Sequence, residues 1–361
     1  MRLPLMVATG VLLGGTVFAC AGEPATSAPP IASLRLLPAT TTTVLRPSTT
    51  MPPSTTIPAP ATTASTLPRK GSVIIHGTGD VNLDPAYIPA LASRGYDWAW
   101  SGLQGLFAED DLTVVNLECS PSGLGSPEAK AFTFRCADEG LAAMAGAGVE
   151  VANLANNHSQ DFGKEAMLDG RANLEAKGIF PVGTGATAAQ AGEPAIFELN
   201  GWKVAVVGFG GVRPHDGWIA TADQPGMADG DSVESMVATV EAAHELADWV
   251  VVTIHWGVEL DVEPRAEDVD RARAIVAAGA DVIFGHHTHR LQPFELLSGR
   301  PVAWGLGNFV WPNLSPAGSR TAVARVVITP QGQIAGCLLP AVIESPGHPV
   351  LLGPAECDHE P

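Results

Sequence analysis

Ala280-Asp281-Val282-Ile283-Phe284-Gly285-His286 runs straight into His287-Thr288-His289. The apolar run does not alternate, so both its faces are buried, as in an inner strand of an α/β layer. The same design recurs along the chain. Ser72-Val73-Ile74-Ile75 leads into His76-Gly77-Thr78-Gly79-Asp80, read as a strand followed by a glycine-bearing loop. Leu112 to Glu118, Val149 to Asn156, Trp202 to Phe209 and Trp249 to His255 are further apolar runs of this kind. Helical patterns fill the gaps at 139–148, 165–177, 232–247 and 266–278. Two later strands, at 301–304 and 322–329, have no clear helix between them, so part of the sheet is mixed or antiparallel. The expected fold class is α/β, a layered sandwich of mixed β-sheets flanked by helices.

Polar residues fall just after the apolar runs: Asp80, Asn116 with Glu118, Asn156-Asn157-His158, His255, and His286-His287-Thr288-His289. The carboxyl ends of strands in an open α/β sheet face one crevice, where ligands bind. Distant segments would thus bring carboxylates, an amide and imidazoles into one pocket, a donor set suited to Mn, Zn, Fe or Mg. Each residue alone has a plainer reading. Asp80 fits a helix cap, Asn157 a left-handed turn, and His255 a satisfied core imidazole. Capping, however, explains none of the histidines.

The chain has 361 residues with a formal net charge of −18. That charge excludes a nucleic-acid binder, which needs surplus Lys and Arg against phosphate. An anionic substrate would require a local positive centre, such as a metal ion. Residues 1–20 read as a secretory signal: Arg2, an apolar stretch, then Val17-Phe18-Ala19-Cys20, which is similar to a bacterial lipobox. This places the protein outside the cytoplasm, lipid-anchored to the membrane through Cys20. The alternative is cleavage after Ala19 and release as a secreted protein. Residues 21–70, rich in Thr and Pro, read as a disordered stalk. Of Cys119, Cys136, Cys337 and Cys357, pairing 119 with 136 and 337 with 357 is the simplest of three connectivities. Buried free thiols are the competing reading.

The succession Gly79-Asp80, Asn116-Leu117-Glu118, Phe132-Thr133-Phe134-Arg135, Ala155 through Gly163, His255 through Glu259, Gly285 through Glu295, and Leu306-Gly307-Asn308-Phe309 closely resembles the CapA family of capsule or poly-γ-glutamate synthesis proteins. It spans about 72–311, giving a domain at 71–330 and a C-terminal tail at 331–361. The resemblance implies a calcineurin-like metallophosphoesterase-type fold and one or two divalent ions held by Asp80, Glu118, Asn157, His255, His287 and His289. His158 takes the position of the residue that protonates the leaving oxygen. Where the broader superfamily has D-x-H, this chain has Asp80-Val81-Asn82, and Glu118 stands for a bridging aspartate. Asp161 either fixes the tautomer of His158 or caps the following helix. Arg135 is a clamp for a substrate carboxylate or phosphate, or else a surface ion pair. Glu259 either stands behind His255 or faces solvent.

The implied role is synthesis, export or anchoring of poly-γ-glutamate or a related anionic polymer, in company with a membrane synthase, with metal-dependent hydrolysis as the expected activity. Two other readings stand beside it. One is a secreted metal-dependent phosphoesterase or other hydrolase without a capsule role. The other is a non-catalytic partner of a polymer synthase.

Overall fold

The apolar runs become the inner strands of two sheets. The computed structural model describes residues 70–312, 315–354 and 357. The expected signal segment, Cys20 and all but the last residue of the stalk lie outside the described residues. In chain order the strands are β1 (Val73–Val81), β2 (Leu112–Leu117), β3 (Val151–Asn153), β4 (Phe180–Val182), β5 (Thr184–Gly185), β6 (Ala195–Leu199), β7 (Trp202–Gly210), β8 (Gly226–Met227), β9 (Trp249–His255), β10 (Val282–His286), β11 (Phe294–Leu297), β12 (Arg300–Ala303), β13 (Arg320–Ile328), β14 (Ile334–Ser345) and β15 (His348–Leu351).

One sheet has the order β15-β14-β13-β1-β2-β3-β4 and the other β11-β12-β10-β9-β7-β6, with β5 and β8 forming a small separate pair. The strands β1 to β4 are parallel to one another, and β13 joins β1 antiparallel. In the second sheet β7, β9, β10 and β12 are parallel, with antiparallel β6 and β11 at its edges. Both sheets are therefore mixed, as the sequence predicts.

The sheets pack face to face through Val73, Ile75, Val114, Val204, Val251 and Phe284, all buried. Each such side chain contributes roughly 1.5–3 kcal/mol relative to exposure. A second apolar layer covers the outer face of the first sheet and includes Leu141 and Met144 of the helix Asp138–Gly146. A third includes Met236 and Ile275, from the helices Val233–His244 and Ala266–Ala277. Burial on both faces is why the strands read as unbroken apolar runs.

Two details differ from the sequence reading. His76-Gly77-Thr78-Gly79-Asp80 is not a loop: β1 continues through it to Val81, with a register shift against β2 between Gly77 and Asp80. The glycines serve close approach. A Cβ on Gly77 would lie 2.6 Å from the Phe284 ring, and one on Gly79 would lie 2.1 Å from the Gly307 carbonyl oxygen. The segment expected as a tail from 331 instead supplies β14 and β15, which extend the first sheet beyond β13. Cys119 is bonded to Cys136 and Cys337 to Cys357.

Strand register aligns the polar exits. Asp80 pairs with Asn116, Asn116 with Asn153, and His286 with His255.

Candidate metal centre

Asp80 lies near the end of β1, and its backbone bridges to Asn308 on the far side from Asn116. Glu118 is the first residue beyond β2, and His255 and His286 end β9 and β10. His287 and His289 follow on a turn with φ of 87° and 52°. Non-glycine residues held in this left-handed region cost about 1–3 kcal/mol each and concentrate where side chains are aimed for function.

All six residues expected as ligands meet. Ligand atoms of Glu118, His255 and His287 lie within 4.8 Å of one another, as do those of Asp80, Glu118 and His289. Glu118 belongs to both groups, so its carboxylate stands between two donor sets. Asn157 joins the first group, its Oδ1 lying 2.8 Å from His255 Nε2.

The surroundings leave these atoms available. Both carboxylate oxygens of Glu118 are buried without a hydrogen-bond partner, as are Nδ1 of His286, His287 and His289. His289 Nδ1 is 3.2 Å from Asp80 Oδ2 without hydrogen-bond alignment, an electrostatic contact. An unpaired buried carboxylate costs several kcal/mol, and a cation is the partner that removes this cost. Mixed oxygen and imidazole donors around a shared carboxylate fit a divalent ion.

Electrostatics agree. Burial pushes the Glu118 carboxyl well above its ordinary range, and the Asp80 charge adds to it. Burial opposes ionisation of Asp80 too, but His289, His286 and the Asn116 amide outweigh it and hold that carboxyl below its usual value. Burial lowers His286 and His287 to about 4. Burial, followed by His287 and its neighbours, holds His255 well below the usual histidine range. Neutral imidazoles keep the lone pairs that metal ligation needs.

His158 sits at the rim, with Nε2 3.9 Å from Glu118 Oε1. Its Nδ1 lies 2.6 Å from Asp161 Oδ2, which also accepts the Phe134 backbone N–H at 2.7 Å. Asp161 therefore orients His158 and does not cap the helix Gly163–Glu175, which has no side-chain cap. Lys130 donates to Asp161 Oδ1 at 2.7 Å and to the Asn157 carbonyl at 2.6 Å. Sequence reasoning passed over Lys130, which lies two residues before the quoted motif at Phe132 and carries no pattern of its own.

Arg135 is not brought to the centre. Its guanidinium donates to the Ser122 carbonyl oxygen and lies over the Phe162 ring at 3.6 Å. These contacts hold the loop closed by the Cys119–Cys136 bond, and no carboxylate among the described residues forms an ion pair with Arg135. Asn116, noted only as a polar exit, holds the ligands in place: Nδ2 is 2.8 Å from Asp80 Oδ1 and 3.1 Å from His255 Nδ1. Glu259 is exposed at the mouth of a cleft of about 290 Å³ that opens beside His158 and His289. Aromatic rings form its walls, with Phe134 against His158 at 4.2 Å and Trp311 against His289 at 4.7 Å between centroids.

Residues 75–313 match the family described as bacterial capsule synthesis protein PGA_cap. The "PGA biosynthesis protein CapA" of Bacillus subtilis is 29% identical over 243 residues, covering 64% of this chain and 62% of that protein. The "Capsule biosynthesis protein CapA" of Bacillus anthracis is 35% identical over 177 residues, covering 48% of this chain and 43% of that protein. The chain thus spans less than two thirds of the length of either relative. Among solved structures, the NAD nucleotidase of Haemophilus influenzae aligns over 78% of this chain and 60% of its own, with 13% identity and a TM-score of 0.46. A likeness that distant carries no argument about the centre.

Proposed function

The chain belongs to the bacterial capsule synthesis protein family PGA_cap, and from that premise we propose that it acts in the synthesis, export or anchoring of poly-γ-glutamate or a related anionic capsule polymer. It works as a metal-dependent hydrolase, from a position outside the cytoplasm tethered through Cys20. The names of the relatives in both Bacillus species support the pathway. The leader sequence and the two disulfides, which persist in oxidising compartments, support the location. Labelling of the expressed chain with a radioactive fatty acid, lost in Cys20→Ala, checks the tether.

The observation that carries the chemistry is the buried Glu118 carboxylate, unpaired at both oxygens and shared by two donor groups. Asp80, His289 and Glu118 would hold one divalent ion, and Glu118, Asn157, His255 and His287 a second. Bound there, such ions supply Lewis acidity and an activated water. The chain's own residues do the rest. With its Nδ1–H aimed at Asp161, His158 presents Nε2 to the centre as the atom that exchanges a proton with the ligand. Lys130 and the Phe134 N–H keep Asp161 in place, and the aromatic walls exclude water from one side of the cleft.

Metal analysis of the purified chain tests the reading. At least one equivalent of transition metal is expected, falling sharply in Asp80→Ala and His287→Ala. Less than about 0.3 equivalents, with no uptake on adding Mn or Zn, would overturn it. Release of glutamate from γ-linked chains, compared with turnover of a generic phosphodiester, then identifies the bond.

A further inference from the structure

We propose that Arg290 and Asn308 form a subsite for a carboxylate that neighbours an amide N–H, so that the centre receives a peptide-like acid and not an isolated anion. The proposal deepens the functional reading and rests on it for the neighbouring centre.

Arg290 and Asn308 both line the cleft beside His289. The Arg290 guanidinium donates to the His289 carbonyl at 2.7 Å and has no carboxylate partner among the described residues. Its remaining N–H groups have no hydrogen-bond partner among the described residues. Asn308 is 4% exposed, and its Oδ1 has no hydrogen-bond partner. Its Nδ2 donates to the Gly318 carbonyl at 2.9 Å, which fixes the amide so that the oxygen is the free end. A Cβ placed on Gly318 would lie 3.1 Å from Arg290 Nη1 and 3.5 Å from Asn308 Nδ2, so these two nitrogens approach the same glycine from the cleft wall.

The free groups specify the ligand. A guanidinium fork takes a carboxylate, and more strongly where apolar walls lower the local dielectric. A buried amide oxygen without a partner needs an N–H donor. Glu259 lines the same cleft, so a ligand that brings an N–H as well as an anion fits better than a second bare anion. Both residues are tied to the ligand cage: Arg290 follows His289 in the chain, and Asn308 bridges to Asp80. A carboxylate held here leaves the amide linkage next to it at the cage. γ-Linked glutamate presents this pair of groups at every repeat.

Calorimetric titration of the manganese-loaded full chain with γ-glutamyl-glutamate tests the subsite, with glutarate and inorganic phosphate as the anions lacking an amide. Tenfold or greater weakening is expected in Arg290→Gln, with an intermediate loss in Arg290→Lys, which keeps the charge but not the fork. Gly318→Ala, which crowds both side chains, should weaken the dipeptide as well. Glutarate and phosphate should bind at least about tenfold more weakly than the dipeptide. An Arg290→Gln affinity within twofold of the parent, equal binding of phosphate or glutarate, or no binding of the dipeptide at all would each overturn the proposal. Metal content is measured on the same samples. Failure of the cage therefore shows as absent metal, and failure of the subsite as unchanged dipeptide affinity with metal in place.

Discussion

At the scale of single residues, Glu118 joins structure to chemistry. Its folded-state value lies well above the ordinary one, chiefly through burial, so its contribution to stability is present at low pH and lost as the pH rises. Glu118→Gln keeps the shape and removes the charge. The metal-free variant should therefore be more stable than the metal-free parent at pH 8, by about 1–3 kcal/mol, and should lose the stabilisation that added manganese gives the parent. Thermal denaturation with and without metal reads both effects. A variant stabilised by manganese as strongly as the parent would show that the carboxylate is not shared between donor sets. The ligand types were legible in the sequence because each follows an apolar run. Arg135 stayed open between a clamp and a surface ion pair because a guanidinium is assigned by what surrounds it, and here the path of the 119–136 loop sets it against Ser122 and Phe162. Arg290 and Lys130 stood inside or beside the quoted motifs without a periodicity to mark them.

At the scale of elements, the inner strands were legible because burial on both faces leaves unbroken apolar runs. β14 was not, since its residues are largely half-buried and its apolar run is interrupted by Gly336 and Pro340. The entry to β3 carries an identifiable penalty. Glu150 accepts the Thr113 N–H at 2.8 Å, yet burial, with the Asp110 charge as a further contributor, raises its carboxyl to about 7. The folded chain holds the extra proton between about 4.5 and 7, so this contribution is complete below that window and lost above it. Glu150→Gln preserves the acceptor. It should match the parent near pH 5 and exceed it at pH 8 by about 1 kcal/mol after allowing for partial exposure, or roughly 2–4 °C in Tm. Equal Tm differences at the two pH values would refute the assignment. The two disulfides should also separate by element. Cys119–Cys136 closes the loop that carries Phe132 and Phe134 to the cleft, whereas Cys337 lies on β14 at Arg325 of β13. Replacing either pair with serine should cost about 3 kcal/mol. Loss of the first should also weaken dipeptide binding by calorimetry, because that loop contributes Phe132 and Phe134 to the cleft.

For the whole molecule, the net charge of −18 sets the terms on which an anionic polymer approaches. The summed field repels a polyanion at distances beyond a few ångströms, while Arg290 and the ligand cage attract one carboxylate at a time over short range. Raising the ionic strength from about 10 mM to 150 mM shortens the Debye length from about 30 Å to 8 Å, which removes the long-range repulsion and leaves close contacts in the cleft largely intact. The association rate of a long γ-linked glutamate chain should therefore rise several-fold with added salt, the reverse of a protein that recruits its polymer through a basic surface. The dipeptide, with little charge to repel, should change far less. Stopped-flow quenching of tryptophan fluorescence, with Trp311 in the cleft wall, follows both ligands. A polymer rate that falls as salt is added would mean that a local positive field outweighs the global one, and recognition would then extend well beyond the Arg290 guanidinium.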